Sequence, residues 1–263
     1  MIINAEHGLG TGLGDCLTMC WLPDTLFYVE NPIKKELFDL FGRKWFDDKD
    51  HLRQAKPMIK AFQYDLSNLK STPRLESWMN GLTLTGKPCR PTAHIPRKAE
   101  AWAGLTTQRT PKPIILFPFS KVKSRQWPLN YWVDLAWRLK EKGENPVIFV
   151  PEKNDKLNRA PNYCHGYSLT YIAAFMMKAK LVVANDSLPA HMGGTLNVKT
   201  LVLAGPTNKN VFHHCPSVEV IHGNMNCSPC CFRNPFRAPC DLGCFALYSL
   251  GVEEVFNWIC RSS

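Results

Sequence analysis

The stretch Leu181-Val-Val-Ala-Asn-Asp186-Ser-Leu-Pro-Ala-His191-Met-Gly-Gly194, followed by Val198-Lys-Thr-Leu-Val-Leu-Ala-Gly205-Pro-Thr207, reads as strand, polar turn, helix, strand and glycine loop. Leu181 to Ala184 is a short apolar run of the kind buried on both faces of a parallel sheet. Polar chemistry starts where it ends. Asn185, Asp186 and Ser187 can cap the next helix, Pro189 fits its first turn, and unpaired backbone N–H groups there can receive an anion. Gly193 and Gly194 cost helix stability, which points to close approach by a neighbouring backbone or a ligand. Thr200 to Ala204 is a second strand, and Gly205-Pro206-Thr207 is a tight turn at its carboxyl end, the edge where open α/β sheets bind ligands. Two readings follow: a site for a phosphorylated ligand, or an ordinary βαβ unit in which Asp186 is only a cap.

The rest of the chain fits an α/β protein. Its 263 residues suffice for one large or two small α/β domains, and 45% apolar with 21% charged residues excludes a disordered chain. Thirty-two basic against 22 acidic residues give +10, and the pI is near 9.1. That balance favours an anionic partner: a nucleotide, a phosphorylated glycan, a membrane surface or nucleic acid. No run approaches the roughly 18 apolar residues of a membrane span. Met1 to Gly10 lacks the basic head and apolar core of a secretory signal, so a cytoplasmic location is expected. With 11 cysteines, such a chain is expected to hold thiols or metal ligands rather than a disulfide frame.

Along the chain, Met1 to Asn4 is a strand feeding the turn Gly8-Leu-Gly-Thr-Gly-Leu-Gly14-Asp15, with a helix from Cys16 to Trp21. Thr25 to Val29 predicts a strand, Pro32 to Phe41 a helix with Ile33, Leu37, Leu40 and Phe41 on one face, and Lys44 to Phe46 a third short strand. Periodicity fades from His51 to Thr110, apart from helical character at Leu75 to Met79, and proline-rich Lys87 to Lys112 reads as a connection. Beyond it, Ile114 to Pro118 is a strand, Leu129 to Lys142 an amphipathic helix, Pro146 to Val150 a strand and Leu169 to Lys178 a helix. Val252 to Ile259 is a C-terminal helix. This alternation implies parallel sheets in two halves, residues 1–110 and 111–263, opposed across a cleft.

Three segments together resemble glycosyltransferase family 9, the heptosyltransferase-like enzymes with the two-domain GT-B fold. The family's glycine-Asp turn is similar to Gly12-Leu-Gly14-Asp15-Cys-Leu, and its basic residue before Trp-Pro to Arg125-Gln-Trp127-Pro128-Leu-Asn-Tyr-Trp132. Its Asp-Ser/Thr-Gly-x-x-His helix and glycine loop are similar to Asp186-Ser187-Leu188-Pro189-Ala190-His191 and Gly205-Pro206-Thr207. Leu188 departs from the family's usual glycine. The resemblance covers residues 111–263 and about the first thirty, with a short middle and hence a reduced N-terminal, acceptor-side lobe.

It implies transfer of a sugar from a nucleotide-diphosphate donor to an acceptor hydroxyl, with inversion and no catalytic metal or other catalytic cofactor. Asp15 corresponds to the family's base; on the residues alone it reads as a cap of the Cys16 helix. On the donor side, Arg125 matches the phosphate-contacting basic residue and Ser120 a phosphate-side hydroxyl, with Lys121 and Lys123 as further cations for the leaving diphosphate. Asp186, Ser187, His191, Gly205, Pro206 and Thr207 complete the donor set, and Glu152 stands where the family holds the nucleotide ribose. Trp127 and Trp132 are expected to pack the following helix.

Within the Cys-rich segment 227–244, Cys227, Cys230, Cys240 and Cys244 have the CxxC and CxxxC spacing of a thiolate site for structural zinc or iron, a brace remote from the chemistry. The alternative is a packed thiol loop. The expected acceptor is an anionic glycan such as a lipopolysaccharide core at a membrane surface. Hydroxymethylated DNA bases are a second acceptor class, and a non-catalytic nucleotide-sugar-binding module a third reading. Gly8, Gly10, Gly12 and Gly14 alternate strictly and never give GxGxxG, which argues against a dinucleotide oxidoreductase.

Overall fold

The computed structural model describes residues 2–6, 13–23, 25–48, 56–57, 74–81, 84, 87–230 and 244–262. Two parallel sheets organise them. The first has the order β3-β2-β1-β4, from β1 (Ile2–Asn4), β2 (Leu26–Tyr28), β3 (Trp45–Phe46) and β4 (Lys56–Pro57). The second runs β10-β9-β8-β5-β6-β7, from β5 (Ile114–Phe117), β6 (Pro146–Val150), β7 (Tyr163–His165), β8 (Leu181–Asn185), β9 (Thr200–Ala204) and β10 (Val218–His222). In both, the chain starts in the middle and the strand order reverses beside the starting strand, which opens a crevice at the carboxyl ends there. In the second sheet that switch point lies between β5 and β8, paired from Ile114↔Leu181 to Phe117↔Ala184.

Side-chain alternation divides the second sheet's apolar residues between two cores. Ile114, Leu116, Ile148, Val150, Leu181, Val183, Leu201 and Leu203 face α5 (Leu129–Glu141) and α9 (Val252–Ser262), with Trp127, Trp132, Leu135, Leu139, Val255 and Ile259 filling the space. Trp127 and Trp132 are thus core residues, as the sequence suggests. The alternate residues, Ile115, Phe117, Val147, Phe149, Val182, Ala184, Val202 and Ala204, face α6 (Leu169–Met176) and α7 (Leu188–Thr195). This second core does not stop at those helices. It continues through α1 (Leu13–Met19) into Ile3, Phe27, Leu37 and Phe38 of the first sheet and α2 (Pro32–Leu40).

The first half departs from expectation in several places. Helix α1 begins at Leu13, so Asp15 lies inside its first turn rather than ahead of it. Ile33, expected on the apolar face of α2, is 48% exposed, and Lys34 is buried in its place. The inward face runs Lys34, Leu37, Phe38 and Phe41, the i, i+3, i+4, i+7 set. Burying an ammonium costs several kcal/mol, about, and a cation in a helix's first turn opposes the dipole by about 0.3–1 kcal/mol. Lys34 offsets this by donating to the carbonyls of Ala5 at 2.8 Å and Glu6 at 3.1 Å. The Glu6 carboxylate stands 3.8 Å from its amine.

The connection is also more ordered than its prolines suggest, because Arg97–Arg109 forms a helix, α4. Ala99 and Ala103 bury its narrow inner face, and Trp102 packs on Tyr167, Tyr171 and Phe175 of the second half. A small-residue face carries little hydrophobic contrast, which hides such a helix from periodicity. The expected helix at Leu75 to Met79 is α3 (Arg74–Gly81), and α8 (Phe245–Ser249) leads into α9. Gly193 and Gly194 are indeed sites of close approach, but to side chains of this protein: a Cβ at Gly193 would lie 2.1 Å from Thr200 Oγ1, and one at Gly194 2.6 Å from Cys215 Sγ. No described helix is long and apolar enough to cross a membrane.

Burial pushes the Cys16 and Cys215 thiols up from 9.0 to about 12, and raises Cys20 as well. A thiol held neutral only in the folded state contributes stability that is complete below pH 9 and is lost as pH climbs from there through 12. Urea midpoints should therefore fall as pH rises above 9. At about pH 7 a maleimide should label exposed Cys89, Cys227 and Cys260 and spare Cys16, Cys20 and Cys215 until denaturant is added; prompt labelling of the buried three would contradict this burial.

Candidate functional site

The site forms at the switch point of the second sheet. Asn185, fully buried at the end of β8, accepts from the Trp127 backbone N–H at 3.0 Å and donates to the Pro118 carbonyl, which ties the loop after β5 to the end of β8. Asp186 follows at 2% exposure. Its Oδ2 accepts from the Thr207 hydroxyl and pairs with Arg125 Nη1 at 3.1 Å. Ser120 Oγ donates to the Asp186 carbonyl at 3.3 Å and accepts from the Val122 N–H at 3.4 Å. The loop after β5, the end of β8 and the loop after β9 thus converge on one residue.

Capping is not what Asp186 does. The residue ahead of α7 is Ser187, in extended conformation and without a side-chain cap bond; its hydroxyl donates to the Asn185 carbonyl at 3.3 Å. The Asp186 carboxylate turns instead to the Arg125 cation and the Thr207 hydroxyl, because an enclosed carboxylate gains more from a charge-assisted pair than from a backbone amide. Arg125 keeps a third of its side chain exposed on the open side of the pair.

His191, 5% exposed, lies one turn into α7 with Nε2 3.9 Å from Asp186 Oδ1 and its ring 4.6 Å from that of Phe212. On its other side it meets the first half directly: a Cβ on Gly14 would come within 2.7 Å of His191 Cδ2. Glycine at 14 therefore lets α1 lie against α7, and a second contact, Trp21 Nε1 donating to Thr195 Oγ1 at 3.3 Å, closes the other end of the helix pair. Asp15, partly buried, adjoins the Gly14–His191 contact. The order Asp15, Gly14, His191, Asp186, Arg125 is thus continuous across the two halves.

The other expected residues divide. Gly205, Pro206 and Thr207 are buried, and the Thr207 carbonyl meets His222 Nε2 at 2.8 Å. Lys121 and Lys123 are exposed on the lip beside Arg125. Glu152 is exposed in the turn after β6, with no described contact to the Asp186 cluster. Gln126, which donates to the Ser120 carbonyl at 2.6 Å, and His222 belong to the same framework and were not read from the sequence; a lone Gln and a His on an edge strand carry no pattern.

The described ends of the Cys-rich segment, Ser228 and Cys244, lie against the Gly205 turn. A Cβ on Gly205 would meet Cys244 Sγ at 2.5 Å and Leu247 at 2.9 Å, and Ser228 Oγ donates to the Gly205 carbonyl. Cys240 lies outside the described residues. Cys227 is exposed while Cys230 and Cys244 are buried, and among the described residues no three His, Cys, Asp or Glu side chains gather into a metal-holding group.

The sequence profile of glycosyltransferase family 9 (heptosyltransferase) matches residues 87–236, and the chain belongs to that family. It is accordingly a glycosyltransferase of heptosyltransferase type with the GT-B fold and a reduced N-terminal lobe. Among solved structures it is similar to the ADP-heptose lipopolysaccharide heptosyltransferase II of E. coli, at 13% identity and a TM-score of 0.66, over 99% of this chain and 97% of that one. A family 9 glycosyl transferase from Veillonella parvula gives 14% identity and 0.68, over 100% and 97%. An iron-containing dodecameric glycosyltransferase from enterotoxigenic E. coli gives 15% and 0.67, over 99% and 76%. No curated protein sequence matches the chain.

Gly14→Ala should destabilise the protein by about 1–3 kcal/mol, since its methyl group must displace a buried imidazole. In a His191→Ala background most of that cost should vanish. Urea denaturation of the four proteins of this cycle checks it; additive losses would mean that the two residues do not share the contact.

Proposed function

We propose that this enzyme transfers a sugar from a nucleotide-diphosphate donor of the ADP-heptose class to an acceptor hydroxyl with inversion, using Asp15 as base. The observation that carries the reading is the run from Gly14, the residue before Asp15, through His191 to Asp186 and Arg125, which brings the helix bearing Asp15 against the helix beside the Arg125–Asp186 pair. Inversion needs a single base on the face opposite the leaving group, and a leaving diphosphate needs positive charge where its own charge grows. Residues 1–110 serve as the acceptor-side lobe and 111–263 as the donor-side lobe.

In this scheme Asp186 and Thr207 position rather than contact the donor. Pairing with Asp186 fixes one edge of the Arg125 guanidinium, whose positive charge faces the diphosphate. Ser120 and the buried Gly205-Pro206-Thr207 turn shape the phosphate pocket, Ser187 and His191 line its α7 side, and Glu152 reaches the ribose. The donor class is supported by the similar E. coli enzyme, which carries ADP-heptose in its name. Exposed Lys121 and Lys123 beside Arg125, with a net charge of +10, support an anionic acceptor such as a lipopolysaccharide core. The cysteines brace the Gly205 turn, and no step of the transfer passes through a metal.

ADP-heptose at 100 times its Kd should stabilise the wild-type protein by about 2.7 kcal/mol through mass action, read as a rise in Tm. Asp15→Asn should keep that shift and lose transfer by about 10²–10⁴-fold, as removal of a general base does. Arg125→Ala should lose the shift as well. Full turnover by Asp15→Asn would remove Asp15 from the mechanism.

A further inference from the structure

The described residues hold one buried lysine ammonium that the transfer scheme leaves unused. Lys34 Nζ donates to the Ala5 carbonyl at 2.8 Å, and the Cys16 thiol, one residue beyond Asp15, donates to the same carbonyl at 3.9 Å. The strand end is held from the other side too: the Ala5 N–H donates to the Tyr28 carbonyl at 3.1 Å, and Glu6 Oε2 accepts from the Glu30 and Asn31 N–H groups, each at 3.0 Å. A single carbonyl therefore joins the end of β1, the first turn of α2 and the start of α1.

Charge places the same groups together. The Cys16 thiol, raised chiefly by burial, is pulled down by Lys34 and pushed up by Asp15 and Glu6, so all three charges stand around the start of α1. A lysine at this helix position is unfavourable in itself, and its two carbonyl bonds at the strand end offset that cost. Hydrogen-bonding the last β1 carbonyls fixes where the chain leaves the sheet, and α1, seated on that exit by Cys16, carries Asp15.

We propose that Lys34 is a positioning residue for the transfer reaction, holding the start of α1 through the Ala5 carbonyl so that Asp15 meets the acceptor hydroxyl. The inference rests on the assignment of Asp15 as base.

Its test compares the full-length wild type with Lys34→Met, Lys34→Arg and the charge-balanced Lys34→Met/Glu6→Gln. Maleimide labelling of Cys16 is followed by peptide mapping, with Cys164 on β7 as the internal reference. Loss of the clamp should speed Cys16 labelling by about tenfold at an unchanged Cys164 rate, since opening is local. With ADP-heptose as donor probe, kcat should fall on the order of tenfold to a hundredfold, as a small misplacement of a reacting group does, while donor KM holds. Lys34→Arg, which keeps charge and donors, should restore both readouts.

Unchanged Cys16 labelling in both methionine variants overturns the proposal, and so does a joint rise at Cys16 and Cys164, which would mark Lys34 as a general stabiliser. Turnover separates the two levels of inference. An active Asp15→Asn enzyme defeats the functional assignment, whereas an inactive Asp15→Asn beside a fully active Lys34→Met defeats only the clamp.

Discussion

Helix α1 can rest on α7 only because residue 14 has no side chain; the imidazole of His191 occupies the space a Cβ would need, at 2.7 Å. That close approach governs the rest of the molecule. It brings Trp21 to Thr195, merges the apolar surfaces of both halves into one core, and leaves Asp15 at the junction rather than on a separate lobe's surface. Steric exclusion at one position thereby sets how closely α1 of the first half lies against α7 of the second.

The second constraint is electrostatic. An enclosed carboxylate such as Asp186 is tolerated only with partners, and the sheet supplies them from two separate loops, Arg125 after β5 and Thr207 after β9, while Ser120 after β5 holds its carbonyl. Each partner is delivered by the carboxyl end of a parallel strand, so the reversal of strand order beside β5 is what assembles the cluster. Removing Arg125 would leave the Asp186 charge without its counterion.

What the sequence made legible follows from burial. Strands β5, β6, β8 and β9 are covered on both faces and appear as unbroken apolar runs, with bounds at Pro146–Val150 and Thr200–Ala204 readable directly. Edge strands β7 and β10 mix Tyr163, His165, Glu219 and His222 with apolar residues and give no such run. Helix α4 escaped because alanines make its inner face, and α2 misled because a lysine, not Ile33, turns inward. At the site, Asp15, Arg125, Asp186 and Thr207 were recognisable through the family pattern. The use of Asp186 as an ion-pair partner rather than a cap was not, because it depends on Arg125 sixty-one positions earlier in the sequence. The same holds for Cys244 against Gly205, a contact between segments that no spacing rule connects.

Across the junction, Glu36 of α2 accepts from both the N–H and the hydroxyl of Thr170, at 3.0 and 2.9 Å, and so completes the first turn of α6 in the other half. That helix end is thus capped by a residue 134 positions away in the sequence. Separated, the halves would each expose apolar surface and leave a helix terminus without its carboxylate, so the folded state of either half is stabilised by the presence of the other.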